Sequence, residues 1–278
     1  MKFIKQGSAI ALGFVISACG GGGGSSDSGG TGAEGASLSN ASSCYNPQRG
    51  QVGTTVTYDY AIRSVSTLPS EEEKSLDDAE WGYYGYHIIN ESIVSYSGND
   101  GVIQSLSLYR YFDGDGNFTS QEEDGFYEYT QYDDDEKSKT HFGYKEEIGS
   151  STYEEQYLPS GWKMSYDVDE GNEISLDSIT ARYFIDGVGQ RDTTVDVATK
   201  FIGKESITLN GTVYKTCKFE EKTVTTAPDF TSEATYVSYV GEGNGITLMS
   251  TRFREWEDGE TYRSVRQITS ASINGEPI

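Results

Sequence analysis

Asp113-Gly-Asp115-Gly-Asn117 puts oxygen-bearing side chains at every second position, the spacing with which loops hold hard cations such as calcium. Phe118 stands where such a loop needs glycine for its sharp turn, and Asp124 where a bidentate glutamate would complete the shell. Asp113, Asp115 and Asn117 are therefore weak calcium candidates, read more simply as a hairpin tip, with Asp167 and Asp169 a poorer echo. The chain has two histidines, His87 and His141, too few beside its cysteines for a structural zinc site. The domain also lacks the Gly-x-Ser-x-Gly turn that presents a serine nucleophile. Acids run together at Glu122-Glu123-Asp124, Asp133-Asp134-Asp135-Glu136, Glu146-Glu147 and Glu154-Glu155. A glycosidase needs two carboxylates facing each other across a cleft, and runs along the chain do not supply that. No catalytic residue and no cofactor is expected, and the runs read as solvated loops.

Two other residue classes stand out. Trp81, Tyr83, Tyr84, Tyr86, Tyr109, Tyr111, Tyr127, Tyr129 and Tyr132 are an excess of rings with a flat apolar body and a polar tip. They suit cross-strand packing first and a ligand platform second. Of the three cysteines, Cys44 and Cys217 form an even pair beyond the first. In an exported chain they are expected to be joined, because an exposed free thiol is a liability in an oxidising compartment.

The third cysteine, Cys19, closes Ile16-Ser-Ala-Cys19 after Lys2, Lys5 and the apolar run from Ala9 to Ser17. A basic start, a short apolar run and small residues before a cut site form an export signal. The run is about half of the ~20 residues a membrane span needs. With a Cys at the cut, residues 16–19 resemble the lipobox of bacterial lipoproteins. That resemblance implies removal of residues 1–18, acylation of Cys19 and anchoring through several acyl chains, which exceeds the threshold for stable attachment. Gly20 stands where inner-membrane-retained lipoproteins of the enteric type carry Asp, so the resemblance implies the outer membrane and leaves its two faces open.

Residues 20–43, rich in Gly and Ser, have little to bury and much entropy to lose. They are expected to be a flexible tether with a typical end-to-end distance of about 27 Å. The full chain carries a net charge of −23; without Lys2 and Lys5 it has 19 basic and 44 acidic residues, net −25. Such a surface repels nucleic acid and anionic lipid heads, so membrane contact should come through the anchor alone. No nucleic-acid partner is expected.

From residue 52 the pattern is one of strands. Val56, Tyr58, Tyr60 and Ile62 alternate with Thr57, Asp59, Ala61 and Arg63. Further strands are expected over 83–96, 102–112, 118–132, 140–148, 152–158, 162–168 and 174–185. Asn210-Gly211 predicts a two-residue type I′ hairpin between 205–209 and 212–219. Strands over 236–240, 247–256 and 262–273 follow, the last two joined at Asp258-Gly259. Ser70 and Glu73 have capping-box spacing, which predicts at most one short helix near 70–80. About a dozen strands without βαβ alternation give a mainly β fold, an antiparallel, strongly curved sheet or open β-barrel, over residues 44–278. Cys217 is expected to share a covered face with Val213 and Phe219.

Ile202-Gly-Lys-Glu205, Tyr214-Lys-Thr-Cys217-Lys-Phe219 and Tyr239-Val-Gly-Glu-Gly-Asn-Gly245 are similar to a pattern in envelope β-proteins. Some of these resemble the half-barrel of lipoprotein carriers and receptors. The resemblance implies a curved sheet around an apolar cavity, and fold alone does not give function. Three functions compete: a non-enzymatic lipoprotein binding an apolar ligand or an envelope partner, a surface-displayed binder of a glycan or protein, and, last, a carboxylate-based hydrolase. A concave cavity, a flat exposed aromatic row and a cleft with facing acids would mark them in turn.

Overall fold

The structure is a computed structural model, and it describes residues 39–278. Cys19 and the lipobox lie outside the described residues. The strands are β1 (Thr55–Thr67), β2 (Gly82–Tyr96), β3 (Asn99–Phe112), β4 (Phe118–Asp133), β5 (Ser138–Ile148), β6 (Ser151–Leu158), β7 (Trp162–Ser165), β8 (Glu173–Ile185), β9 (Val188–Leu209), β10 (Thr212–Ala227), β11 (Phe230–Gly241), β12 (Thr247–Trp256), β13 (Thr261–Ile273) and β14 (Glu276–Pro277).

All pairings are antiparallel and all strands belong to one sheet. Each strand pairs with the next along the chain, except around β7. There β5 pairs with β7 through its first half and with β6 through its second, and β6 pairs onward to β8. At the far end β13 pairs with β1 over Val56 to Thr67. The sheet therefore curls until its first and last long strands meet, leaving an incomplete ring where β7 has no ladder on its second edge among the described residues. Curling removes most exposed edges, which would otherwise template association with other chains.

The alternation that marked β1 holds in part: Val56 and Tyr60 are buried on the inner face, but Asp59 and Ala61 on the other face are buried too. Asn210 and Gly211 have φ of 50° and 81°, as the type I′ turn requires. Beyond a register shift at Lys218/Phe219, the β9–β10 hairpin reaches over one end of the ring. Its Leu209 packs with Val56, Ile246, Leu248, Ile268 and Ile273.

Several expectations need correction. Residues 70–80 hold only a single 3₁₀ turn, Leu76–Asp78, capped by Ser75 rather than Ser70. Glu71 instead accepts the Leu68 amide, so the capping-box spacing is used by a turn two residues earlier. Two more 3₁₀ turns, Ala41–Cys44 and Pro47–Gly50, precede β1. The folded part also begins before Cys44. Asn40 bridges to Asp169, Ala41 is fully buried, and Ser43 donates to Glu242. Val213 does not share the covered site of Cys217 and Phe219; it lies by the hairpin turn and is 65% exposed. The first half of β9, over 188–204, had no counterpart in the sequence reading.

Cys44 and Cys217 are joined, with Cα atoms 6.2 Å apart, inside a cluster formed by Ala41, Tyr166, Val168, Phe201, Phe219 and Val240. The bridge fixes the start of the folded chain to β10. Phe201 and Phe219 are essentially inaccessible, and burying each contributes roughly 1.5–3 kcal/mol.

Candidate ligand-binding interior

Residues directly opposite on neighbouring strands share a face, so the register traces the inner wall around the ring. Contacts between strands that are not neighbours confirm which face is inside. Trp162 on β7 donates its Nε1 hydrogen to Glu221 on β10 at 3.2 Å, and Arg266 on β13 reaches the Tyr84 hydroxyl on β2 at 3.2 Å.

Over β1 to β5 the wall is aromatic. Tyr58, Tyr60, Tyr84, Tyr86, Tyr109 and Phe126 form a chain of ring contacts with centroids 5.2–5.9 Å apart. Tyr84, Tyr86 and Tyr109, singled out in the sequence, thus pack against each other inside. Tyr127 and Tyr129 belong to a separate cluster with Val102 and Phe142, where Tyr96 stacks on Tyr129 at 3.7 Å. Tyr111 is exposed and donates to Glu122. Trp81 lies under Arg63, Tyr83 packs beside Gly116, and Tyr132 packs beside Tyr45. The tyrosines do not form one flat row.

Three carboxylates and a histidine also face inward, Glu128 from β4, Glu155 from β6, Glu221 from β10 and His141 from β5. Glu128 accepts from Ser107 at 2.9 Å. Glu155, from a run that read as solvated, is pushed up to about 7 by burial, against hydrogen bonds from Tyr144 and Tyr157 that pull it down. Glu221 is also pushed up to about 7 by burial, with Trp162 and Thr199 as its donors. His141 sits against Thr130 and is lowered to about 4 by burial, so it is neutral at pH 7. His87 bonds Thr57 and is lowered too, again by burial.

The opposite side, β11 to β13, is cationic. Along β12 the inner residues run Leu248, Ser250, Arg252, Arg254, Trp256; opposite them on β13 run Ile268, Arg266, Ser264, Tyr262. Arg266 donates to Ser250 and stacks over Tyr60 at 4.3 Å. Arg252 lies between the rings of Tyr236 and Tyr262, 5.1 and 5.6 Å from their centroids. At the apolar end of the same strands a pocket of about 240 Å³ opens between Leu209, Tyr214, Leu248, Ile268 and the terminal Ile278. A smaller one of about 50 Å³ lies by Arg49, Asn90, Glu128 and Lys139.

The calcium candidates sit away from this interior, at the β3–β4 turn. Asp113 accepts from the backbone amides of Asp115 and Asn117 and from the Asn117 side chain at 2.9–3.2 Å. These bonds, the Asn117 side chain's foremost, hold the Asp113 carboxyl below its usual range. The motif's first ligand position thus closes the turn. Sequence reasoning missed Glu221, Arg252, Arg254 and Arg266. The signal was present as Arg252-Phe-Arg254-Glu-Trp256, but period two alone does not say which face is inner.

No family model matches the chain, and no curated protein does. Three solved structures are similar at 10% identity. A candidate lipoprotein of Parabacteroides distasonis matches over 85% of this chain and 99% of its own, with a TM-score of 0.41. The hypothetical lipoprotein YmcC of Escherichia coli matches over 77% and 87%, at 0.35. A candidate exported protein of Bacteroides fragilis with a YmcC-like fold matches over 85% and 100%, at 0.42. A likeness this distant says nothing about what the chain does.

Proposed function

We propose that the chain is a non-enzymatic lipoprotein, anchored through acylated Cys19 in the bacterial outer membrane, whose β ring holds an amphiphilic ligand in its interior. One observation carries the binding role: the inner face of β12 and β13 grades from Leu248 and Ile268 through Ser250 and Arg266 to Arg252, Arg254 and Trp256. A wall with an apolar end and a charged end suits a molecule built the same way. The sequence led towards an apolar ligand or an envelope partner; the polar part of the inner wall moves the reading to an amphiphile. The 240 Å³ pocket at that end is lined by Leu209, Leu248 and Ile268 and also by Thr212, Thr269 and Ser270, which suits a small segment carrying both apolar and polar atoms.

The test is native mass spectrometry of the full chain extracted from bacterial envelopes in neutral detergent. An amphiphile released in near-stoichiometric amount supports this function. Binding of soluble glycans, with no displaceable apolar probe, would replace it with the glycan-binding reading.

A further inference from the structure

We propose that the inner wall around Arg252 and Arg254 is an anion site that takes the carboxylate, sulfate or phosphate oxygens of a ligand. It rests on the amphiphile reading for what carries the anion, though not for the anion itself. Charge accounting is the first argument. The chain has 44 acidic and 21 basic residues, so a structural arginine has carboxylates in excess to choose from. Arg63, Arg110, Arg182, Arg191 and Arg263 each have one within 4 Å. Arg252 and Arg254, two positions apart on one face, have no ion pair among the described residues.

Their hydrogen bonding is the second. Arg252 is 4% exposed, yet its Nε and Nη2 have no partner, and neither does Arg254 Nε. The Ser264 hydroxyl, directly across from Arg252, and the Ser232 hydroxyl, across from Trp256, are also without one. Five of the eight such buried atoms among the described residues lie in this one patch. A buried guanidinium left unpaired is costly, and two cations on one face repel, so an opposite charge between them would stabilise the arrangement. Burial pushes the Arg252 guanidinium down, and Arg254 adds to this, although Tyr236 and Tyr262 push it the other way.

Shape is the third. The rings of Tyr236 and Tyr262 flank the Arg252 guanidinium, Tyr236 also hydrogen-bonding to it, and Trp256 lies beside that of Arg254 at 5.5 Å. Stacking fixes a guanidinium while leaving its N–H edge free, the edge that binds planar or tetrahedral oxyanions in a fork. Arg254, Trp256 and Tyr262 keep part of their surface open, so the patch is reached from the β12–β13 turn. Ordered water is the rival partner for these donors, but water brings no charge.

The deciding measurement is thermal unfolding of the full chain in neutral detergent, titrated with inorganic phosphate, octanoate or octanol at constant ionic strength. The expected result is a saturable rise in Tm with an anion. Arg252→Gln should weaken that anion by about tenfold or more, the loss expected for a charge-assisted hydrogen bond. Should Arg252→Gln fail to fold, Arg254→Gln, whose side chain is half-buried, carries the same expectation. Saturation by phosphate marks a free-anion site, and saturation by octanoate alone marks a head-group site; either supports the proposal. Shifts that do not saturate, or that are equal in both variants and the parent, overturn it and leave water as the partner. If octanol stabilises as well as octanoate, the amphiphile reading survives and the anion site falls. Phosphate binding without octanoate or octanol would do the reverse.

Discussion

Glu221 sits in an environment that its residue type does not suggest. Its carboxyl, buried against Trp162 and Thr199, titrates at about 7, where an ordinary glutamate titrates near 4.5. Between those values the folded chain keeps a proton that the unfolded chain has lost. The folded state is thus favoured below about 4.5, and that advantage disappears as pH rises through 7. Glu155 acts in the same direction. His141 acts in the opposite one: lowered from 6.5 to about 4, its contribution is present above 6.5 and lost as pH falls through 4. Glu221→Gln keeps the shape and removes the charge. Urea unfolding should therefore find the variant more stable than the parent at pH 8, with the gain fading towards pH 4.5. A gain independent of pH would mean that another group titrates.

Asp59 gives a second prediction at this scale. It is 6% exposed and accepts from Arg110 at 2.7 Å and from Ser270 at 2.6 Å. Arg110 is covered in turn by the Phe118 ring at 4.4 Å. A Cβ at Gly85 would fall 2.2 Å from the Asp59 carboxylate, so only glycine leaves room for it. Arg110→Ala strands a buried carboxylate and should cost about 3 kcal/mol in chemical denaturation. Gly85→Ala should cost a comparable amount; a neutral effect would show that Asp59 has another place to go.

At the scale of elements, the strands were legible where polarity alternates and turn chemistry is strong. Asn210-Gly211 predicted its hairpin for a stated reason, and β12 was placed over its observed bounds, Thr247–Trp256. The cationic wall was not legible, because Arg252-Phe-Arg254 reads equally well with either face inward. Phe253 is in fact 37% exposed, packed under Arg263 outside, while Arg252 is inside. Closure of β13 on β1 was hidden as well, since that register depends on residues two hundred positions apart. The disulfide belongs to this scale too, since it couples the first 3₁₀ turn to β10. With its cysteines 173 positions apart, the chain-entropy estimate is about 5 kcal/mol as an upper figure. Cys44→Ser should lower unfolding stability by a few kcal/mol. Thiol counting on denatured, unreduced chain should find neither Cys44 nor Cys217 reactive; two reactive thiols would remove the bridge.

For the whole molecule, the anchor and the fold make separate predictions. Cys19→Ser should abolish acyl-chain labelling and release the chain from the membrane fraction, while leaving the ring intact by circular dichroism. Retention of the variant with the outer membrane would require a second anchor. Among the described residues no helix is long and apolar enough to cross a membrane. Protease shaving of intact cells would then tell which face of the membrane carries the ring.

The Cys44–Cys217 bridge also sets where a pull is felt. If the chain is held at Cys19 and its ring is dragged by a bound partner or by flow, tension arrives along residues leading to Asn40. Without the bridge, that tension would pass through Pro47–Gly50 to β1, the strand that closes the ring against β13. Pulling a closing strand from its end breaks its hydrogen bonds one after another. With the bridge, the load leaves the backbone at Cys44 and enters β10, which is flanked by β9 and β11. A strand gripped within its length rather than at its end shares the load across many bonds at once. The covalent link is in this sense a strain relief, placed between the mooring line and the seam that would otherwise open first.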